Sequence, residues 1–149
     1  MKYCINCGNE ILDEAVVCVH CGAKQENYYD KEKEYAKELV KSLSVRLKIN
    51  ALLWSIIGML QMTSIIFWLT GMINIAGAFD DYNFGDEILR SPYNIVKRHK
   101  PLARPIIILI WNFIFGGMWG IVGSIYYFAI IRSFVMRNKE YFELLEEDK

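Results

Sequence analysis

Residues 4–22 of the chain read CINCGNEILDEAVVCVHCG, and this stretch contains all four cysteines of the protein. They form two C-x2-C pairs, Cys4 with Cys7 and Cys18 with Cys21, and a glycine follows each pair. Two residues between paired cysteines allow one tight turn to direct both sulfurs at a single ion, and four soft thiolates favour tetrahedral zinc. The spacing therefore predicts a zinc site with these four ligands.

The predicted site is structural rather than catalytic. Four thiolates fill the coordination shell of the metal and leave no position for a reactive water. Two disulfides are the alternative, but cytosolic thiols stay reduced, and a redox C-x2-C motif needs a thioredoxin-like context. A unit this small has almost no core, so metal binding is predicted to supply most of its folding free energy. His20, inside the second pair, is interpreted as a surface residue.

The stretch YCINCGNEILDEAVVCVHCGAKQ, residues 3–25, resembles the short zinc-ribbon module at the start of many bacterial membrane proteins. The usual module has a cysteine pair with glycine, an acidic or small-residue linker and a second such pair. Many members have proline after the first cysteine of a pair, where this chain has Ile5 and Val19. The resemblance implies a module that contacts protein or nucleic acid, without a shared activity. The remainder more loosely resembles small membrane proteins of Gram-positive-type bacteria that carry this head.

Two uncharged apolar blocks, residues 49–79 and 105–131, follow the cysteine unit. Each exceeds the roughly 20 residues that cross a bilayer, which predicts a mainly α-helical membrane protein with two long hydrophobic segments. Each block also has a candidate break near its middle, at residues 61–64 and 116–117. The alternative is two re-entrant helical hairpins, whose arms of about 14 residues, or about 21 Å, would not cross a hydrocarbon layer of about 30 Å. Two continuous, tilted spans need fewer assumptions and are preferred.

Charged segments flank and separate the blocks, and the helix expected before the first block carries an apolar stripe that includes Leu39, Leu43 and Leu47. In the connection, Ser91 and Pro92 are interpreted as the start of a short helix. The predicted order is a zinc ribbon (1–25), a charged juxtamembrane helix (26–48), membrane segment 1 (49–79), a polar connection (80–104), membrane segment 2 (105–131) and an amphipathic cytosolic tail (132–149).

Neither block contains a carboxylate, a histidine or a basic side chain, which lowers the odds of active transport. The amides of Gln61, Asn74 and Asn112 are interpreted as hydrogen-bonding groups between helices, with a polar pore lining as the minority interpretation. In the connection, Asp80, Asp81, Asp86 and Glu87 are expected in a solvated loop, and His99 in a basic, lipid-facing cluster.

Small side chains recur every four residues at Gly116, Gly120 and Ser124. This stripe predicts close helix packing, either against the first block or against a second copy of the chain in a homo-oligomer.

Two crossings would place both termini on one side of the membrane. More lysines and arginines flank the blocks on the terminal sides than occupy the connection, which favours termini in the cytoplasm. Reduced thiols require the same side. The basic stretch VKRHKPLAR, residues 96–104, would then lie outside, against the usual charge bias. Re-entrant hairpins remove this conflict, because every polar segment would face the cytoplasm.

The sequence therefore predicts an integral membrane protein, not an enzyme, whose zinc ribbon acts as an anchored contact or regulatory module for an unidentified protein partner. A subunit of a small oligomeric channel or transporter is the alternative. A membrane-tethered nucleic-acid-binding head ranks lowest, because the net charge is zero and only Lys2 and Lys24 are basic within the first 25 residues.

Overall fold

The computed structural model describes residues 1–25 and 28–146. It is mostly helical, at 72%, with a two-stranded hairpin near the N-terminus. The elements in chain order are β1 (Lys2–Tyr3), β2 (Glu10–Ile11), α1 (Tyr28–Met62), α2 (Trp68–Arg90), α3 (Ile95–His99), α4 (Ala103–Phe115), α5 (Gly117–Tyr126), a π-helix (Tyr127–Arg132), α6 (Ser133–Arg137) and α7 (Lys139–Glu146).

The predicted fold class is confirmed: a small β-hairpin head precedes a mainly helical remainder with two apolar segments. Lys31–Met62 and Gly117–Arg137 have the length and the apolar composition of membrane-crossing helices. The second of these runs without a gap through α5, the π-helix and α6. The borders of both stretches differ from those expected from charge alone, because helical structure continues from the apolar blocks into charged sequence.

The first apolar block is interrupted, so it differs from the continuous helix that the sequence analysis preferred. α1 ends at Met62, and the chain turns through residues 63–67 before α2 begins. α2 then packs antiparallel to α1, and glycines allow the backbones to approach closely: a Cβ on Gly71 would meet the carbonyl oxygen of Gly58 at 2.5 Å. The block therefore forms one long helical hairpin whose break lies at the expected polar residues.

The second block is interrupted in the same way. α4 ends at Phe115, and α5 begins at Gly117, whose φ of +64° is a conformation that glycine adopts without strain. α5 returns along α4, so that a Cβ on Gly120 would collide with the side chain of Asn112. The alternative of two helical hairpins thus describes the backbone better than two uninterrupted helices do.

Buried amides connect the two hairpins, as the sequence predicted for Gln61, Asn74 and Asn112. Asn74 Nδ2 donates to Gln61 Oε1 at 2.7 Å and to Asn112 Oδ1 at 2.9 Å. Asn112 Nδ2 donates to the carbonyl oxygen of Ile108, and Gln61 Nε2 donates to that of Gly116 at 2.7 Å. The polar atoms are paired within the apolar region, where an unpaired amide is costly, so the network fixes how α1, α2 and α4 meet.

The largest apolar core lies at the charged end of the helices. The predicted stripe on α1 is confirmed, because Leu39, Leu43 and Leu47 are buried. Their partners come from α2, α3, the π-helix and the C-terminal helices: Phe84, Ile88, Ile95, Val96, Ile131, Val135 and Phe142. The segment expected to be a charged juxtamembrane helix is therefore part of a packed helical assembly. In the tail, the side chain of Phe142 is fully buried in this core.

The expected polar connection is largely helical, which corrects the interpretation of its acidic residues as a solvated loop. Residues 80–90 continue α2, and Arg98 Nη2 lies 2.6 Å from Asp80 Oδ2 and 3.2 Å from Asp81 Oδ1. Arg104 Nη2 also lies 2.8 Å from Asp80 Oδ2, and Asn50 Nδ2 donates to Asp81 at 2.8 Å. These carboxylates are held by partners that are distant in sequence. The four residues Asp80, Asp81, Arg98 and Arg104 are called the charged cluster below.

The short helix of the connection begins later than expected. Ser91 does not cap it: its N–H donates to the carbonyl oxygen of Glu87 and closes the end of α2, and α3 starts only at Ile95. The N–H of Ile95 donates to Glu146 Oε1 at 3.2 Å, so α7 contributes to the start of α3.

His99 is buried, which corrects its expected place in a lipid-facing cluster. Its ring stacks on Tyr127 with centroids 6.2 Å apart, and Nδ1 lies 2.9 Å from the carbonyl oxygen of Ile95. Burial lowers the pKa of His99 to about 4, and the charges of Arg98 and Arg104 add to this effect, while the Ile95 carbonyl opposes it. The ring is therefore neutral at physiological pH.

This burial predicts a pH-dependent stability. As the pH falls from about 6.5 to about 4, His99 binds a proton in the unfolded chain but not in the folded chain. The free energy of unfolding should therefore decrease by about 3 kcal/mol over this range. Chemical unfolding in detergent at several pH values measures the loss. In His99→Asn, whose amide retains a donor for Ile95 but cannot titrate, the dependence should be weaker by this amount. Equal pH dependence in both proteins would contradict the assignment.

Within residues 28–146, the charged segments of the helices lie at one end of the helical body. Lys48 Nζ pairs with Asp86 Oδ1 at 2.7 Å, and the charged cluster and α7 lie at the same end. The two interruptions meet at the opposite end, where Gln61 contacts the Gly116 carbonyl. Ile65, at the tip of the first hairpin, is 97% exposed. The molecule therefore has one polar end and one apolar end.

Candidate metal centre

The two cysteine pairs form matching turns. Cys4 N–H donates to the Asn9 carbonyl at 2.8 Å and Gly8 N–H donates to the Cys4 carbonyl at 3.0 Å. The second turn repeats this pattern with Cys18, Gly22 and the Ala23 carbonyl. Gly8 and Gly22 have φ values of +70° and +69°, so the glycine after each pair provides a left-handed residue that closes the turn.

A small apolar cluster supports these turns. Ile11, on the second strand of the hairpin, is buried against Cys4 and Cys18, with Ala15 packed at the edge. β1 and β2 pair antiparallel, with Lys2 opposite Ile11. This cluster is too small to stabilise a fold by burial alone, which agrees with the expectation that a metal supplies most of the folding free energy.

The four sulfurs form the vertices of a metal site. Their Sγ atoms all lie within 4.8 Å of one another, and both the Cys4–Cys21 and the Cys7–Cys18 sulfur distances are 3.7 Å. A tetrahedral ion with Zn–S bonds of about 2.3 Å separates its sulfurs by about 3.8 Å. The observed distances are far longer than the roughly 2.05 Å of a disulfide, and all four cysteines are free thiols. The donor set therefore fits structural zinc.

Backbone amides prepare individual thiols for metal binding. The N–H of Cys7, together with that of Asn6, lowers the pKa of Cys4 to about 6, although burial opposes the shift. At Cys7 the N–H of Asn9 favours the thiolate, but burial and the neighbouring sulfurs outweigh it and raise the pKa to about 11. The N–H of Ala23 and the side chain of Asn6 lower the pKa of Cys21. Cys4 is thus largely a thiolate before a cation arrives, whereas the cation must displace the proton of Cys7.

Gln25 is a further residue of the site that the sequence analysis missed. Its side chain is buried; Nε2 donates to Cys4 Sγ at 3.2 Å and to the Ala23 carbonyl at 2.9 Å, while Oε1 accepts the N–H of Ile5 at 3.1 Å. One amide therefore connects both turns and neutralises part of the charge on a ligand sulfur. Glutamine is common on protein surfaces, so no local sequence signal identifies this role.

Gln25→Ala is expected to weaken zinc binding by about 10- to 100-fold, because it removes three hydrogen bonds that connect the two turns. Competition with a chromogenic chelator measures the affinity in the full chain. Lys24→Ala is the matched control, since the neighbouring Lys24 is exposed. Equal affinities for the two variants would show that the Gln25 amide does not support the site.

His20 is exposed, as expected for a surface histidine. The predicted packing stripe lies outside the metal centre. Gly116 and Gly120 both face Asn112, and Ser124 is buried with its hydroxyl donating to the Gly120 carbonyl at 3.0 Å. Gly123, which the stripe omitted, packs directly against the indole of Trp54 on α1. Small residues thus bring α5 close to helices of the same chain, and a homo-oligomer stays a prediction.

Comparison with known proteins identifies the head. A family model of the zinc-ribbon domain matches residues 3–25, which contain all four cysteine ligands. The predicted N-terminal zinc ribbon is therefore confirmed. No curated protein matches the chain, and no solved structure matches it.

Proposed function

We propose that this protein is a membrane-anchored, non-enzymatic contact module, in which two apolar helical hairpins hold the chain in the cytoplasmic leaflet and the zinc ribbon binds another protein. The observation that carries the proposal is the combination of a closed four-thiolate site with a helical body that has one polar and one apolar end. The thiolate site supplies a rigid surface without a reactive position, and the helical body supplies an anchor.

The surface of the ribbon supports a role in contact. Ile5 and Val19, which follow the first cysteine of each pair, are 73% and 84% exposed, and Tyr3 and Leu12 are also exposed. Such a concentration of apolar side chains on a unit of 25 residues is typical of a protein-binding surface. Zinc would hold Ile5 and Val19 in place, because each lies within a turn that the metal closes.

The hairpins support re-entrant insertion from one side. The apolar part of α1, residues 49–62, has a length of about 21 Å, which is less than the hydrocarbon thickness of about 30 Å. Charged segments lie at the other end of every arm, so insertion with the tips inward buries no charged side chain. All basic segments then lie in the cytoplasm together with the reduced thiols, in agreement with the positive-inside rule.

A channel or transporter subunit is less well supported. The amides that would line a pore, at Gln61, Asn74 and Asn112, bond to one another and to backbone carbonyls. A pore lining would need these groups directed at water or ions.

Cysteine accessibility tests the insertion. Asn83 is exposed on α2, close to the charged cluster, and Ile65 occupies the tip. With peptide-level detection to exclude the native thiols, a cysteine at position 83 should be protected from an impermeant maleimide in intact cells and react after permeabilisation. A cysteine at position 65 should react in neither case. Reaction at position 83 in intact cells would instead support two complete crossings.

Site-specific cross-linking tests the contact. A photoreactive amino acid at Val19 should give a discrete cross-linked protein in cells, and Cys18→Ser should abolish it while the chain stays in the membrane fraction. The same photoreactive residue at Val45, which is exposed on α1, is the control for non-specific capture. A pattern that is identical at Val19 and Val45 would defeat the proposed contact.

A further inference from the structure

A cavity of about 720 Å³ lies between the two helical hairpins, within the range of about 300–1,000 Å³ that is typical of small-molecule sites. α1, α2, α3, α4, α5 and the π-helix all contribute to its walls. Sites between the helices of a bundle are a common location for ligands. Neither the zinc ribbon nor the proposed contact uses this cavity.

The cavity has an apolar part and a polar part. Trp54, Ile73, Ile108, Trp111 and Phe128 contribute large apolar side chains to the walls. The charged cluster, Asp80, Asp81, Arg98 and Arg104, contributes to the lining at the polar end of the helices. A molecule that fits both parts has a hydrocarbon chain and a polar head.

The charges of the cluster compensate one another. Arg98 bonds to both Asp80 and Asp81, and Arg104 bonds to Asp80, so two cations face two anions. A head group with a net charge would meet as many positive as negative side chains in the cluster. To gain a partner of opposite charge, it would have to break one of these ion pairs. A head that is neutral overall can exchange hydrogen bonds with the cluster and leave the ion pairs in place.

Trp111 contributes its apolar ring to the wall of the cavity. Its indole Nε1 is itself buried, without a hydrogen-bond partner in the part of the chain that the structure describes, and is not open to the cavity. The hydrogen bonds to a head group therefore come from the charged cluster.

We infer that this cavity binds a single-chain amphiphile with a net-neutral head group, taken up laterally from the membrane. The acyl chain lies among the tryptophan, isoleucine and phenylalanine side chains, and the head lies at the charged cluster. This inference rests on the membrane insertion of the proposed function, because insertion places the apolar part of the cavity in the hydrocarbon layer and the cluster at the interface. An amphiphile then binds in the orientation that it already has in the bilayer.

Photolabelling of the full chain in phosphatidylcholine nanodiscs tests the inference. The probe is a monoacylglycerol with a diazirine in its acyl chain, and peptide mass spectrometry locates the label. Labelling should concentrate on peptides that contain Ile108 and Trp111 and should decline on competition with unlabelled monoacylglycerol. Uniform labelling of the exposed apolar faces, insensitive to competition, would overturn the inference.

Gly77→Leu provides the blocking variant. Gly77 lines the cavity, and a Cβ there has no atom within 4 Å, so a leucine can occupy the space without a clash. Labelling of peptides that contain Ile108 and Trp111 should fall about tenfold, because the leucine side chain occupies space that the acyl chain of the probe needs. Ala129→Leu is the control, since Ala129 is exposed and lies outside the cavity. Equal labelling of Gly77→Leu and Ala129→Leu would overturn the inference.

Head-group selectivity gives a second, independent readout. Asp80→Asn removes one anion and leaves the charged cluster with a net positive charge. The variant should therefore prefer a fatty-acid probe with the same diazirine over the monoacylglycerol probe. A wild-type preference for the fatty acid would overturn the neutral-head assignment. Vesicle flotation separates the two proposals: a chain that floats with vesicles but shows no cavity labelling contradicts only this inference, whereas failure to float contradicts the proposed insertion.

Discussion

Cys18→Ser is expected to abolish zinc retention and to unfold the ribbon, which is the largest effect that the structure predicts for a single substitution. Structural zinc sites contribute about 10–16 kcal/mol of apparent binding free energy. The apolar cluster of Ile11, Ala15 and two cysteines cannot replace this contribution. Metal analysis should give one zinc per wild-type chain and none for the variant after treatment with a chelator. The dispersed amide signals of Gly8 and Gly22 should collapse in NMR spectra.

Val19→Ala is the matched control for Cys18→Ser. Val19 is the next residue in the chain and is largely exposed, so its truncation should leave both the metal content and the amide signals unchanged. Full zinc occupancy in Cys18→Ser would refute the assignment of this thiolate as a ligand. The helical body should keep its thermal midpoint in both variants, because its packed cores contain no residue of the ribbon.

Asn112→Leu is expected to destabilise the helical body by about 2 kcal/mol, which corresponds to a decrease of about 8 °C in the unfolding midpoint for a chain of this size. Leucine has a similar shape but cannot accept the 2.9 Å hydrogen bond that Asn74 Nδ2 donates to Asn112 Oδ1. An N–H of Asn74 is then left unpaired in an apolar region. Tryptophan fluorescence during heating in detergent follows the transition. Phe113→Leu, at an exposed neighbouring position, should change the midpoint little.

The double variant Asn74→Leu/Asn112→Leu distinguishes hydrogen bonding from packing. When both amides are replaced, no unpaired Asn side chain is left between α2 and α4, so the double variant should be more stable than the sum of the two single effects implies. Strict additivity would mean that the network contributes only through side-chain volume.

Local features of the sequence predicted the metal centre well. The ligands lie within 18 residues of one another, and the C-x2-C-Gly pattern fixes the turn geometry without help from the rest of the chain. Gln25 was not predicted, because its role depends on the folded position of an ordinary polar side chain.

Long-range pairing explains what the sequence analysis did not predict for the helices. The polar residues 61–64 and the glycines 116–117 indicated the breaks, but the preference for continuous spans rested on length alone. Only the folded chain brings Asp80 to Arg98 and Arg104. His99 stands in a basic stretch, and its burial depends on Phe84 and Tyr127 from other helices.

The 35-residue length of α1 has a consequence for how far the ribbon can act. If its apolar residues 49–62 enter the lipid, residues 28–48 rise about 30 Å above the border of the hydrocarbon layer. Within this stretch, Leu39, Leu43 and Leu47 are packed against α2, α3 and the C-terminal helices. Three Cα–Cα steps, about 11 Å at most, lead from the last residue of the ribbon to the first residue of α1, so the ribbon begins close to the outer end of this helix. With the apolar hairpin in the lipid, most of the length of residues 28–48 separates the exposed Ile5 and Val19 from the hydrocarbon layer.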